Sequence, residues 1–253
     1  MRIRCYIPPD RWIGQILSVS GREAHHLIHV LRVSPGMSVT CFDGNGNEAT
    51  AVVRQVTRRE VFLELKSQKS IPSVKCPITF GISVPGHGKL DEIINHLTQL
   101  GVAAIIPLST ARGLVKISAA EFGRKQNRLS KIIVEAGKQC GVSRLPVLKP
   151  LTPWDRLLPS FKEYDLVLIA TVEGPYENPA ALLSVRDCGS ILLLIGPEGD
   201  FTPEEIHQAV QAGAHRISLG PTILRCETAA IAAVSVISFL LREGQVDSHR
   251  KKR

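Results

Sequence analysis

The chain has 253 residues, with 31 Lys and Arg against 23 Asp and Glu, giving a formal charge of +8. Its 44% hydrophobic and 21% charged residues exclude wholesale disorder, and the sequence shows neither an apolar run of membrane-spanning length nor a charged-then-apolar leader. Six scattered cysteines (Cys5, Cys41, Cys76, Cys140, Cys188 and Cys226) form no CxxC pair, which argues against a zinc site or disulfide framework and for reduced thiols in a cytosol.

Residues 1–72 read as short strands at 2–7, 14–19, 39–42, 48–56 and 61–66, with a helix over 23–33 that carries Ala24, Leu27, Ile28 and Leu31 at helical spacing. Asp43 to Asn47 supplies the positive-φ-tolerant residues of a hairpin turn. A small β-barrel with one helix is the economical reading. Residues 67–77, polar and with two prolines, read as a linker.

After residue 77 strands and helices alternate. Strands are expected at 78–84, 103–108, 166–171, 191–195 and 216–219, and helices at 90–100, 121–138, 154–158, 203–213 and 227–241. The runs at 166–170 and 191–195 are apolar without alternation, as in strands buried on both faces of a parallel sheet covered by helices. Gly101 suits the positive-φ position after a helix. Residues 248–253 form a basic tail. Charge is uneven along the chain: residues 112–149 hold 9 basic and 2 acidic groups, whereas residues 150–249 hold 6 basic and 13 acidic. Clustered cations of this kind favour a polyanion, or simply line a solvated face.

Two stretches carry chemistry. Gly196 to Glu205 (GPEGDFTPEE) follows a buried strand, where open α/β sheets bind ligands. Thr202, Pro203 and Glu205 read as a capping box opening a helix, while a Glu between two glycines at 196–199 exceeds what a plain turn requires. Leu219 to Ala229 (LGPTILRCETA) follows another strand and enters an Ala-rich helix. Opposite charges, Arg225 and Glu227, sit at that helix entrance; they read either as a local salt bridge with Glu227 favourably placed in the first turn, or as the end of a loop whose backbone at 219–224 encloses a nucleoside-like ligand. His25, His26 and His29 lack Cys or carboxylate partners at ligand spacing, so no metal is expected. Cys226 reads as a core residue rather than a nucleophile.

GPEG at 196–199 and LG-x₃-LR-x-ETA at 219–229 strongly resemble the SPOUT class of S-adenosylmethionine-dependent RNA methyltransferases. Within it the sequence is most similar to the RsmE family, which methylates N3 of a uridine in 16S ribosomal RNA of the small subunit. The likeness extends to His25–Arg32 with Pro35 and Gly36, to Phe42–Gly46, to Leu100–Val102 with Pro107, and to Arg112, Glu135, Gln139 and Arg144–Pro146. It implies a PUA-like, RNA-binding β-barrel over 1–72 and a SPOUT α/β domain with a trefoil knot and mostly parallel sheet over 73–247. A cytoplasmic homodimer is implied as well. S-adenosylmethionine is then expected at Thr171, Val172, Gly196, Glu198, Gly199, Leu219, Gly220, Leu224 and Glu227, and RNA at Arg4, Arg32, Arg112 and Arg144, with Arg128 added from the basic middle of the chain. For catalysis, Arg225 is expected to stabilise or orient the anionic base, with Glu198 and Glu227 as acidic candidates and no assigned proton acceptor. The chain departs from the family pattern at Asp200 (usually Gly), Thr222 (Arg), Cys226 (Thr) and Gln99 (Glu). Two other readings share this sequence: a methyltransferase of the same fold acting on another RNA nucleotide, and a non-catalytic RNA-binding factor in ribosome assembly.

Overall fold

A computed structural model describes residues 3–86, 88–113, 118–185 and 188–250. Arg2 of the first expected strand and residues 251–253 of the basic tail lie outside them. The chain forms two compact units, Met1–Ser73 with Val134–Leu145, and Val74–Ile133 with Pro146–Arg253.

In the first unit, β1 (Arg4–Tyr6), β2 (Ile16–Ser20), β3 (Ser38–Phe42), β4 (Asn47–Val56) and β5 (Glu60–Ser70) form a curled sheet in the order β1-β3-β4-β5-β2. Only β1 with β3 is parallel. Alternation decides which side is buried: Leu17 and Val19 on β2 and Val61, Leu63 and Leu65 on β5 face one core. The expected helix starts earlier, as α1 (Gly21–His25), and widens into a π-helical turn over His26–Val30, where the Leu31 N–H reaches the His26 carbonyl at 2.9 Å. The widened turn keeps Ala24 and Leu27 buried and packs Ile28 and Leu31 against the same core. Strand β5 runs through Ser70 into the expected linker, because Ser67–Ser70 pair with Asn47–Thr50 across a register shift. Backbone pairing needs no apolar side chain, so polarity misleads there.

The β3–β4 turn rests on Asp43. Its Oδ1 accepts from the Asn45 and Asn47 N–H groups at 2.8 and 3.0 Å, and its Oδ2 from Asn47 Nδ2 at 2.7 Å. Gly44 and Gly46 supply positive φ at 83° and 100°. Asp43 is itself buried, and Asp43→Ala removes three hydrogen bonds to its carboxylate that hold the turn, so a loss of about 2 kcal/mol is expected in urea unfolding.

The segment Val134–Leu145 joins this unit through polar contacts rather than sequence proximity. Arg4 donates to Glu48 (3.2 Å), the Val142 carbonyl (3.2 Å) and Ser143 Oγ (2.7 Å), and Lys138 Nζ meets Glu23 at 2.7 Å.

The second unit holds β6 (Ile78–Ser83), α2 (Leu90–Gln99), β7 (Ala104–Ser109), the first turns of α3 (Ala119–Cys140), β8 (Val147–Leu148), β9 (Thr152–Pro153), α4 (Trp154–Leu157), β10 (Leu166–Ala170), α5 (Pro179–Val185), β11 (Ile191–Ile195), α6 (Pro203–Gln211), β12 (His215–Ile217) and α7 (Cys226–Arg250). Its sheet runs β12-β10-β11-β6-β7-β8, with β9 also on β7, and every pairing is parallel. All residues of β10 and β11 are buried, as unalternating apolar runs require. Gly81 on β6 opposes Leu194 on β11, and a Cβ there would come within 2.5 Å of the leucine side chain, so glycine lets the two strands carry a large neighbour. Gly101 adopts φ 76° after α2. Helix α5 is too short to show a helical period in the sequence; the Asn178 side chain caps it at the Ala180 N–H (2.9 Å) and Pro179 opens it. Among the described residues no helix is long and apolar enough to cross a membrane.

Candidate cofactor cleft

Strands β12, β10 and β11 are neighbours in the sheet although they are not consecutive in the chain. Being parallel, they end on one edge, and the three loops that leave them meet there. Together with the start of α7 these loops line a cleft of about 670 Å³, its solvent-open part included, a size suited to a small organic ligand.

Each loop is locally braced. After β10, Thr171 Oγ1 donates to the Glu173 carbonyl at 2.9 Å. After β11, Asp200 stands at φ 59°, a left-handed conformation that explains a preference for glycine at this position. Here the carboxylate compensates: Oδ2 accepts from the Val172 N–H at 2.8 Å and Oδ1 from the Phe201 N–H at 2.7 Å. The β10 and β11 loops are thereby tied together. Thr202 and Glu205 form the expected capping box of α6, and Glu205 Oε1 also accepts from the Ala111 N–H at 2.8 Å. After β12, Gly220 adopts φ 125°, open only to glycine, and its N–H reaches Ser218 Oγ at 3.2 Å. A Cβ on Gly196 would meet the Phe201 nitrogen at 2.9 Å, so the loop can fold back on itself only around glycine.

Thr171, Val172, Gly196, Glu198, Leu219, Gly220 and Leu224 all line this cleft. Gly199 instead lines a neighbouring cleft over α6. Glu227 lies in the first turn of α7 outside the lining, 3.3 Å from Lys89 Nζ. Its own backbone N–H, then Lys89 and Arg225, hold its carboxyl below the usual range despite partial burial. The whole segment 219–224, expected to enclose a nucleoside-like ligand with its backbone, lies in the lining, Thr222 and Ile223 included; sequence reasoning did not assign Asp200 or Cys226 to ligand binding, although both lie within the motifs it singled out. Cys226 is buried, and its Sγ donates to the Gly196 carbonyl at 3.6 Å. Burial, with Glu198 and Glu227 nearby, pushes its thiol up to about 11. The thiol is therefore protonated at neutral pH, as a packing cysteine should be.

A family model described as an RNA methyltransferase domain matches residues 72–238, and one described as an RNA methyltransferase PUA domain matches residues 19–66. The ribosomal RNA small subunit methyltransferase E of Bacillus subtilis is 31% identical over 239 residues, covering 90% of this chain and 93% of its own length. The chain belongs to this methyltransferase family. Its relative in Rickettsia conorii is 32% identical over 90% of this chain and 91% of its own. Among solved structures, the family member from Neisseria gonorrhoeae, bound to S-adenosyl methionine, superposes with a TM-score of 0.82 at 28% identity, covering 95% of this chain and 98% of that one. A methyltransferase structure from Legionella pneumophila with the same cofactor gives 0.79 at 31% identity over 94% and 97%.

Seen as a member of this methyltransferase family, the chain spends most of its five expected RNA-facing arginines on its own backbone and carboxylates. Arg4 is nearly buried between Glu48, Ser143 and the ring of Phe42, 4.8 Å from its centroid. Arg144 donates to the Ile71 carbonyl at 2.8 Å and packs on Gly46. Arg112 donates to the Gly199 carbonyl at 2.8 Å, bracing the GPEG loop, and Arg128 forms an ion pair with Asp91. Arg32 is exposed at φ 52°, without a hydrogen bond to any described residue. Arg225, the expected catalytic cation, is exposed just before α7 and outside the cleft lining. Glu198 is exposed, lines both clefts and accepts no hydrogen bond from a described residue. No group of three or more potential metal ligands occurs among the described residues.

Proposed function

We propose that the protein methylates N3 of a uridine in 16S ribosomal RNA of the small subunit, using S-adenosylmethionine, as a cytoplasmic homodimer. The supporting observation is the cleft built by loops from three adjacent parallel strand ends, lined by both family motifs. The residues fit the cofactor. The N–H groups of Thr222, Ile223 and Leu224 have no partner among the described residues, leaving donors for the ring nitrogens of an adenine. Ala170, Ile195, Leu219 and Ala229 give the base apolar walls, and Glu198 at the rim favours a cation. When bound, the cofactor supplies a methyl on a sulfonium; the reaction is mainly one of alignment.

Glu198, carrying a free carboxylate where the two clefts meet, takes or steers the N3 proton. Glu227, at the start of α7 and with its carboxyl held low first by its own backbone N–H and then by Lys89, fixes the loop that carries Leu224 and Arg225. Arg225 then meets RNA rather than the cofactor, a reading supported by its exposure outside the cofactor lining. Arg124, Lys125 and Lys131, all exposed on α3, extend a cationic face suited to RNA phosphates. Val236 and Phe239 stand 48% and 58% exposed on α7, an apolar pair suited to a second copy of the chain.

Calorimetry with S-adenosylmethionine should show saturable binding well below millimolar ligand; no binding at millimolar concentration defeats the reading. Small subunits from a strain lacking the protein should gain one methyl on a uridine when supplied with protein and cofactor, as mapped by mass spectrometry.

A further inference from the structure

We propose that the second cleft, over α6, receives the target nucleotide as single-stranded RNA. The proposal rests on the methyltransferase reading above. Val172, Glu198, Asp200 and Ile223 line both clefts, so the two share one wall. An acceptor nitrogen must come within about 3–3.5 Å of the methyl it receives, and it must therefore approach from space adjoining the cofactor cleft. The second cleft is that space.

Its size and chemistry suit a nucleotide. It holds about 1520 Å³ against about 670 Å³ for the cofactor cleft, solvent-open space included in both, which leaves room for a flipped-out base with flanking phosphates. Ile206 and Val210 on α6, with Ile223 opposite in the lining, offer apolar surface to the base faces. Arg112 and Arg216 supply donors at its edge. Each uses part of its guanidinium on the protein: Arg112 on the Gly199 and Phe201 carbonyls, at 2.8 and 3.4 Å, and Arg216 on the Glu173 carbonyl and Thr171 Oγ1. A guanidinium carries five N–H groups, so donors remain for uracil oxygens or a phosphate. The same bonds fix both arginines to the loops that carry the cofactor residues, which registers the acceptor site against the donor site. Glu173 and Glu198 in the lining oppose phosphates in that part of the cleft, placing the base rather than the backbone beside Glu198.

Val210 lines the second cleft only and is 44% exposed, so Val210→Arg obstructs it without entering the core or the cofactor cleft. Three measurements are made on Val210→Arg, on wild type and on a charge-change control, Lys162→Glu: calorimetry with S-adenosylmethionine, methyl transfer to unmethylated small subunits, and sedimentation. Val210→Arg is expected to lower kcat/KM for RNA about 100-fold, with cofactor Kd and sedimentation unchanged. Retained cofactor binding certifies the fold. His207→Glu, on the same helix face and in the same cleft, should lower RNA turnover in the same direction. Wild-type turnover in both variants overturns the proposal. A Val210→Arg protein that changes its oligomeric state also overturns it, because the cleft is then covered by a second copy. Wild type that binds no cofactor defeats the methyltransferase reading instead, a separate result.

Discussion

Lys138→Met is expected to lower the stability of the first unit by about 3–5 kcal/mol, the range for removing one member of a buried ion pair. Lys138 Nζ lies 2.7 Å from Glu23 Oε1 and 3.0 Å from Glu135 Oε1, with the lysine side chain 8% and Glu23 17% exposed. Glu23 Oε2 has no hydrogen-bond partner among the described residues, so the carboxylate depends on this ammonium. Methionine fills the volume but leaves the carboxylate uncompensated. Glu23→Gln combined with Lys138→Met should recover part of the loss, since no buried charge then remains. The pH dependence follows from the direction of the lysine shift. Burial pulls the ammonium down, but Glu23 and Glu135 outweigh it and place its titration above the usual lysine range. A raised folded pKa contributes stability that is complete below the unfolded value, about 10.4, and is lost as pH rises through the folded value. The gap between wild type and Lys138→Met in urea unfolding should therefore be constant from pH 7 to 9 and close in stronger alkali. A difference under about 1 kcal/mol at pH 7 would show that the pair contributes no more than a surface salt bridge.

That ion pair also marks where the sequence could be read and where it could not. Signals confined to one element were legible. The unalternating run at 191–195 is a fully buried parallel strand, Thr202 and Glu205 close their capping box, and Gly101 takes its positive φ. The same holds for the cofactor cleft, whose loops fall on both conspicuous motifs. Relations between distant segments were not legible. Periodicity shows α3 as one helix but cannot say that Lys138, near its end, meets Glu23 on α1. Nor can it show that β12, β10 and β11 lie side by side, which is what gathers three loops into one cleft. A knotted path is likewise a property of the whole chain, implied only by family resemblance. The arginines illustrate the same limit. Arg4, Arg112 and Arg144 fit an RNA pattern by position, yet their guanidiniums donate to carbonyls of Val142, Gly199 and Ile71, acceptors that no side-chain pattern records. Polarity misled at 67–70, where a paired strand needs only its backbone.

Asp200 presents the opposite case: a departure from the family pattern that the structure explains. A glycine there would adopt φ 59° freely, whereas aspartate adopts it at some cost and returns two hydrogen bonds to the Val172 and Phe201 N–H groups. Bonds to a carboxylate contribute about 1.5–3 kcal/mol, enough to outweigh the strain. Since Val172 and Asp200 both line the cofactor cleft, the tether holds its wall in place. Asp200→Ala keeps the strain and loses the tether, so cofactor affinity should fall roughly 30-fold, the equivalent of about 2 kcal/mol. Asp200→Gly relieves the strain but frees the Val172 N–H, and a loss of about 10-fold is expected. Asp200→Asn can still accept from Val172 and should stay within about fivefold of wild type. Calorimetry orders the three variants, with thermal unfolding measured alongside. If Asp200→Ala binds the cofactor within twofold of wild type, or if affinity tracks unfolding temperature rather than the tether, Asp200 acts on stability alone. The predicted order, asparagine above glycine above alanine, separates the two roles because glycine is the residue that relieves strain without restoring the bond.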